Sequence, residues 1–214
     1  MKKTLLASTL ILLSSNAIAG DIFNSYEKRK SSIELSAINY ELDGEGFKED
    51  QVGGRVRYQS LDSMNFGYQL SHEGFNYDKN GLDLTLQLST IGINYQFDIY
   101  DSGLYLKPEI GAYYLQGDLE VSSEIKNELG YDVSIDDSET NGYGKITLGG
   151  SLIENKLDFK VHYTHYNHSL DNLSNGATGG QLNYHFNRDF DLILQLDKFE
   201  DLTMYGIGIS INYF

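Results

Sequence analysis

The chain has 214 residues, of which 40% are hydrophobic and 13% aromatic, and its formal net charge is −15. This length is sufficient for one domain with a sizeable interior. The acidic balance leaves no basic face for a nucleic-acid partner, and the absence of cysteine excludes a disulfide framework and thiol-ligated metal sites. The count of 17 tyrosines favours strands over helices.

Residues 1–19 predict a signal peptide that is removed during export. Two lysines precede the apolar stretch Leu5–Leu13, which is too short to span a bilayer, and Ala17–Ala19 has the pattern of a cleavage site. Residues 20–31 are then expected to form a short periplasmic segment. No later apolar run approaches the length of a transmembrane helix, so none is predicted after the leader.

Period-two alternation of polar and apolar residues predicts ten β-strands after residue 31. The predicted strands cover about 32–42, 51–60, 64–75, 82–98, 103–116, 141–154, 157–168, 176–187, 189–199 and 202–214. Short connections alternate with longer acidic ones, the longest being 117–140. This arrangement predicts an all-β fold: a single closed antiparallel up-and-down barrel that spans a membrane over 32–214, with eight strands as the alternative.

The two faces of each predicted strand differ in polarity. In 189–199, for example, leucines alternate with Asp191, Gln195 and Asp197. The apolar face is expected to contact lipid and the polar face to line the lumen. A secreted β-sandwich would also alternate, but it would not explain the alternation of short and long connections.

Two irregularities interrupt the pattern. The apolar phase changes after Leu88, which predicts a β-bulge near Ser89–Thr90, and Pro108 predicts another because proline cannot donate to a strand ladder. The fourth strand exceeds the hydrocarbon thickness, so Leu82–Leu88 is expected to project beyond the outer leaflet.

Charged residues of both signs fall on the predicted lumen face. This candidate charge network consists of Glu34, Arg55, Arg57, Lys107, Glu109, Lys145, Lys160, Asp191 and Asp197. A ten-stranded barrel is only slightly wider than one filled by side chains. The network therefore predicts a plugged lumen, with a narrow polar pore for small solutes as the alternative.

Aromatic residues concentrate on the apolar face near the short connections, as expected of a membrane-interface girdle. The candidate girdle consists of Tyr58, Phe66, Phe97, Phe159, Phe186, Phe190 and Tyr213. The chain then ends at Phe214. Tyr213 is in phase with the lipid-facing residues and Phe214 is not, so either Phe214 caps the edge or a bulge lies near Asn212.

With these features, residues 20–214 resemble the small outer-membrane β-barrels of Gram-negative bacteria, which include porin-like, adhesin and opacity-type proteins. The resemblance implies that the protein lies in the cell outer membrane, in contact with lipid and lipopolysaccharide. It also implies that periplasmic chaperones and the barrel assembly machinery handle the chain, and that Tyr213 and Phe214 form the assembly signal. A structural or surface-interaction role through extracellular loops is expected.

Few residues suggest chemistry beyond this. Lys160–His168 contains three histidines, but His162 and His165 point to opposite faces, so no metal site is predicted. The acidic segment 117–140 lacks EF-hand spacing and predicts a solvated surface or loose binding of divalent cations. No sequence string matches the sites of the family's outer-leaflet enzymes. Neither enzymatic activity nor a cofactor is expected, and a lipid-modifying enzyme is the weaker alternative.

Overall fold

The structure is a computed structural model that describes residues 31–44, 47–61, 65–79, 82–99, 103–122, 135–167, 175–200 and 202–213. The expected signal peptide, nearly all of the N-terminal segment at 20–31, and Phe214 lie outside these residues. No helix in the described ranges is long and apolar enough to cross a membrane.

The described residues form one antiparallel β-sheet that closes on itself. Its strands are β1 (Ser31–Gly44), β2 (Phe47–Leu61), β3 (Phe66–Lys79), β4 (Leu82–Tyr95), β5 (Phe97–Ile99), β6 (Leu104–Val121), β7 (Ile135–Ile153), β8 (Leu157–Tyr166), β9 (Gly176–His185), β10 (Phe190–Phe199) and β11 (Leu202–Tyr213). β1 pairs with β11, and β4 and β5 both pair with β6. Because β4 and β5 are two parts of one barrel strand, the predicted ten-stranded closed barrel is confirmed.

Burial alternates along the strands as the sequence predicted. In β10, Asp191, Gln195 and Asp197 are buried while Leu196 is exposed. The last strand behaves in the same way, with buried Ser210 between exposed isoleucines. Polar side chains therefore line the interior and apolar side chains form the outer surface, the reverse of a water-soluble barrel.

β4 exchanges the polarity of its two faces halfway along. Between Thr90 and the short-turn end, where Ser31 and Tyr213 lie, the outward residues include Ile91 and Ile93, which are 57% and 58% exposed. Toward the long-loop end, the outward residues are polar and the inward ones are leucines: Asp83, Thr85 and Gln87 point out, and Leu84, Leu86 and Leu88 point in. Outside the barrel, lipid is thus replaced by water near Ser89.

The predicted bulge at Ser89–Thr90 is wrong. Pairing of β4 with β3 and with β6 runs through both residues without a register shift. Side chains of β4 keep alternating inward and outward through this point. The apolar residues move from the outer face to the inner face because the surroundings of the two faces change.

Other strands show the same boundary between apolar and polar outward residues, here called the outer boundary. It falls before Asn39 in β1, His165 in β8 and Lys198 in β10. From this level to the short-turn end, β1, β8 and β10 each have eight residues, close to the roughly 9–11 that a tilted strand needs to cross hydrocarbon. β8–β11 end near the outer boundary, whereas β6 and β7 have 18 and 19 residues and continue beyond it.

Beyond the outer boundary, β6 and β7 form an extended wall, and this corrects the predicted loop at 117–140. Its ends belong to β6 and β7, where Gly117 pairs with Asp137 and Leu119 with Ile135. Their acidic residues gave the segment a loop-like composition because strands beyond the outer boundary face water. The predicted bulge at Pro108 is also wrong, since β6 keeps its register with β7 there. The ladder instead breaks at Gln96, whose N–H donates to the Asn65 carbonyl at 2.9 Å.

Cysteine labelling tests the position of the outer boundary, since the chain contains no cysteine of its own. Gln87→Cys and Ile93→Cys lie on the outer face of one strand, six residues or roughly 20 Å apart. On intact cells, a membrane-impermeant maleimide should label Gln87→Cys to near completion and leave Ile93→Cys unlabelled. Equal labelling of both variants would show that the boundary does not lie between them.

Candidate functional site: the barrel interior

All nine residues of the predicted charge network face the interior. The two arginines and four carboxylates are buried, and the three lysines are half-buried. Charged side chains are seldom this buried unless they have partners. The contacts between them therefore decide what the interior can do.

Arg55 connects two opposite walls of the barrel. It forms an ion pair with Glu73, its cross-strand partner on β3, and a second one across the lumen with Asp197 on β10 at 3.0 Å. Its Nη1 also donates to Gln195 Oε1 at 2.9 Å. Glu73 was not predicted from the sequence, although its pairing with Arg55 would have been visible once the register of β2 and β3 was known.

Arg57 and Glu34 form a second bridge between walls. Arg57 Nη1 donates to Glu34 Oε2 at 3.0 Å and to Gln181 Oε1 on β9 at 3.2 Å. Glu34 Oε1 accepts from Gln59 Nε2 at 2.6 Å and lies 3.8 Å from Lys160 Nζ on β8. Four strands thus meet at one carboxylate and one guanidinium.

Glu109 is held by neutral donors. The Tyr143 hydroxyl donates to Glu109 Oε1 at 2.7 Å, and Asn94 Nδ2 lies 3.4 Å from Oε2. The Tyr143 side chain lies against Gly92 and Gly111, where a Cβ atom on either glycine would overlap it. The two glycines are therefore needed for Tyr143 to reach Glu109.

Asp191 belongs to a separate cluster at the short-turn end. Its Oδ1 lies 2.7 Å from His185 Nδ1, and His185 Nε2 lies 3.0 Å from Asp158 Oδ2. Asn212 Nδ2 donates to Asp191 Oδ2 at 3.0 Å. The structure therefore does not group Asp191 with the arginines and lysines, as predicted, because its two oxygens contact His185 and Asn212.

Lys107 and Lys145 differ from the other cations. Within the described part of the chain, neither forms an ion pair with a carboxylate. Lys107 Nζ lies 3.4 Å from Gln59 Oε1, and Lys145 is the cross-strand neighbour of Glu109. Both lysines therefore rely on a neutral group or a neighbouring carboxylate without a direct ion pair.

An apolar cluster, here called the apolar cap, lies between the charge network and the long-loop end. Its buried members Ile38, Tyr40, Phe75 and Tyr77 pack against Leu84, Leu86, Leu202 and Met204. The Tyr40 and Phe75 rings are 4.7 Å apart. The sequence analysis assigned every apolar face to lipid and therefore missed the apolar cap. The exchange of apolar residues between the two faces of β4 was the sequence feature that indicated it.

The candidate girdle residues point outward near the short-turn end, and they are exposed or half-exposed. The rings of Tyr58 and Tyr213 stack at 6.3 Å. Tyr68, Tyr95 and Tyr184 extend the aromatic set. β11 stays in register with β1 through Tyr213, so no bulge lies near Asn212, and Phe214 is outside the described residues.

The two described histidines of 160–168 lie on opposite faces of β8. His162 points inward, with Nε2 3.3 Å from Asp197 Oδ1, whereas His165 is exposed on the outside. His168 and residues 123–134 of the acidic segment lie outside the described ranges. Among the residues that are described, no group of three or more His, Asp or Glu is placed to hold a metal ion.

Comparison with known proteins finds neither a matching family model nor a similar curated protein. Among solved structures, several β-barrels resemble this chain over most of its length, at low identity and with TM-scores below 0.5. Ail of Yersinia pestis, in complex with the heparin analogue sucrose octasulfate, is 13% identical, with 86% of this chain and 99% of Ail covered and a TM-score of 0.44. The outer membrane protein OprG from Pseudomonas aeruginosa is 12% identical, with 87% and 97% covered and a TM-score of 0.47. The KdgM porin in complex with disordered oligogalacturonate is 11% identical, with 85% and 99% covered and a TM-score of 0.43.

The fold itself defines the class. A closed ten-stranded antiparallel barrel with an apolar outer band, an aromatic girdle and a polar interior has the architecture of small Gram-negative outer-membrane barrels.

Proposed function

We propose that this protein is exported by its signal peptide to the outer membrane, where its lumen is closed and its extended wall acts at the cell surface. The short-turn end then faces the periplasm and the long-loop end faces the exterior. The proposed partners of the barrel are outer-membrane lipid and lipopolysaccharide. Chaperones and the barrel assembly machinery act during biogenesis, and divalent cations bind loosely at the acidic loop.

The cross-lumen contacts of the charge network and the apolar cap support this proposal. A solute would have to pass the cross-lumen ion pairs of Arg55 with Asp197 and of Lys160 with Glu34. It would then have to pass the apolar cap, where Ile38 and Tyr40 are 1% and 3% exposed. In this proposal, the charge network and the apolar cap are two layers of different chemistry that obstruct the passage of both ions and apolar solutes.

The proposed role is non-enzymatic. Among the described residues, the two histidines that contact carboxylates, His162 and His185, are inside the barrel. Lipid or peptide at the cell surface does not reach them. The role therefore falls to the polar outer wall beyond the outer boundary, formed by β1–β4, β6 and β7, and to its loops.

Planar-bilayer recording tests the closed lumen. Wild-type protein should show no steady channels, because both layers obstruct the path. A variant that combines Arg55→Ser and Arg57→Ser with Phe75→Ser and Tyr77→Ser should conduct, provided that its heat-modifiable migration on gels shows a folded barrel. The arginine pair changed alone should conduct little, since the apolar cap remains. Steady conductance of the wild type would contradict the proposal and favour the narrow pore.

A further inference from the structure

The sheet forks on one side of the barrel, just beyond the outer boundary. The ladder between β2 and β3 ends at the pair Gly53–Phe75, although β2 reaches back to Phe47 and β3 continues to Lys79. Each strand stays paired with its other neighbour in this region. In these described segments, the two facing backbone edges therefore lack the ladder bonds of a closed wall.

A groove of about 310 Å³, here called the fork groove, lies at this place on the outer face of β2–β4. Its volume is at the lower end of the range of small-molecule sites. Gly54 and Gly74, which are paired on the outer face, form its floor. The described lining has no acidic residue, lysine or arginine, and its polar side chains are those of His72, Asn76, Thr85 and Gln87.

Three of these side chains keep a free hydrogen-bonding group. Asn76 Oδ1 accepts from Thr85 Oγ1, and His72 Nδ1 lies 2.9 Å from Ser89 Oγ. These contacts leave Asn76 Nδ2, His72 Nε2 and the Gln87 amide group without a partner among the described residues. A ligand rich in hydroxyl groups would bond to them and to the open backbone edges at once.

The depth of the fork groove indicates where such a ligand comes from. Val56 and Ile91 are outward apolar residues of the band below it, and Gly54 and Gln87 lie two and four residues beyond them. This is roughly 5–10 Å along the membrane normal, at about 3.4 Å per residue and a strand tilt of about 40°. The headgroup layer of one leaflet is about 5–8 Å thick, so the groove lies in this layer and directly above it.

We propose that the fork groove binds the uncharged sugar portion of a lipopolysaccharide headgroup in the outer leaflet. A sugar ring offers hydroxyl donors and acceptors together with an apolar face, which complements the side chain of Val52, 70% exposed in the lining. A phosphate is disfavoured because the lining provides no lysine or arginine, and because the outward Asp78 and Asp83 lie beyond it. This inference deepens the proposed function and rests on the placement of the barrel in the outer membrane.

Filling the groove tests the proposal on the refolded full barrel in phosphatidylcholine nanodiscs, with purified lipopolysaccharide added in increasing mole fraction. Gly54→Leu should raise the mole fraction at half-saturation about tenfold or more, because its side chain occupies the floor of the groove. A Cβ atom there meets only the Ser36 carbonyl oxygen, at 3.8 Å, so the strand accommodates it. Gly144→Leu, the same change at an outward glycine of β7 with no atom within 4 Å, should bind as the wild type does. Gln87→Ala, which removes one neutral hydrogen bond, should raise the midpoint about 2–10-fold.

Amide NMR signals give a direct readout on the wild type, even if Gly54→Leu does not fold. The signals of Gly54 and Gln87 should shift with lipopolysaccharide and stay unchanged with phosphatidylglycerol. Equal shifts with both lipids would overturn the proposal, as would equal midpoints for Gly54→Leu and Gly144→Leu. Shifts with a soluble, dephosphorylated glucosamine disaccharide but none with lipopolysaccharide would also overturn it.

Protection of Ile93→Cys from the impermeant maleimide on intact cells tests the membrane placement separately. If that protection holds and the shifts at Gly54 and Gln87 are absent, the fork groove is not a sugar site and the proposed function stands. If Ile93→Cys is labelled, the placement itself is wrong.

Discussion

Replacing Arg55 and Arg57 with serine should lower the free energy of unfolding by at least about 3–5 kcal/mol, the cost of removing one partner from a single buried ion pair. The double change leaves Glu34, Glu73 and Asp197 buried without their guanidinium partners. It also removes the two side chains that tie β2 to β9 and β10 across the lumen. Urea titration in detergent and the temperature of the gel-mobility change would measure the loss.

A matched variant separates lost charge pairing from lost volume. Arg55→Gln combined with Glu73→Gln and Asp197→Asn removes both sides of one charge cluster while keeping polar side chains of similar size. Replacing a complete buried cluster is far less damaging than leaving part of it unpaired, so this triple variant should be more stable than the double serine variant. If both lose the same stability, the ion pairs do not hold the walls together.

The sequence predicts the barrel well because each membrane-spanning strand lies between the same two media. Along β10, lipid on one side and a polar lumen on the other impose the period-two contrast between Leu196 and Asp197. Strand number and inside–outside assignment follow directly. Where the media change, as beyond Ser89 in β4, the same alternation continues with opposite polarity. A pattern of hydrophobicity cannot tell that change from a bulge.

The contacts inside the lumen were harder to predict, because they depend on register and closure. Arg55 meets Glu73 only because β2 and β3 pair in one register, and it meets Asp197 only because the sheet closes. Nothing near Asp191 in the sequence shows that His185, and no lysine or arginine, contacts it. The sequence thus identifies which charges are inside, and the structure determines which of them are partners.

Leu194→Arg should destabilise the barrel by about 2–4 kcal/mol, because it places a cation on the lipid face near the midplane. Leu194 lies midway between Phe190 of the girdle and Lys198 at the outer boundary, and its cross-strand neighbours Leu182 and Ile207 are both exposed to lipid. Refolding into lipid bilayers with urea titration would measure the change.

The neighbouring residue provides the control. Gln195 points inward and accepts from Arg55 Nη1 at 2.9 Å, so Gln195→Glu turns a neutral acceptor into a charged partner and should change stability by less than about 1 kcal/mol. Gln195→Arg should instead be damaging, although the side chain enters a polar lumen, because it brings a second guanidinium against Arg55. Similar stability of Leu194→Arg and wild type would mean that this face of β10 is not in lipid. The proposed placement of the barrel in the outer membrane would then be wrong, because this face is where it predicts direct contact with the bilayer.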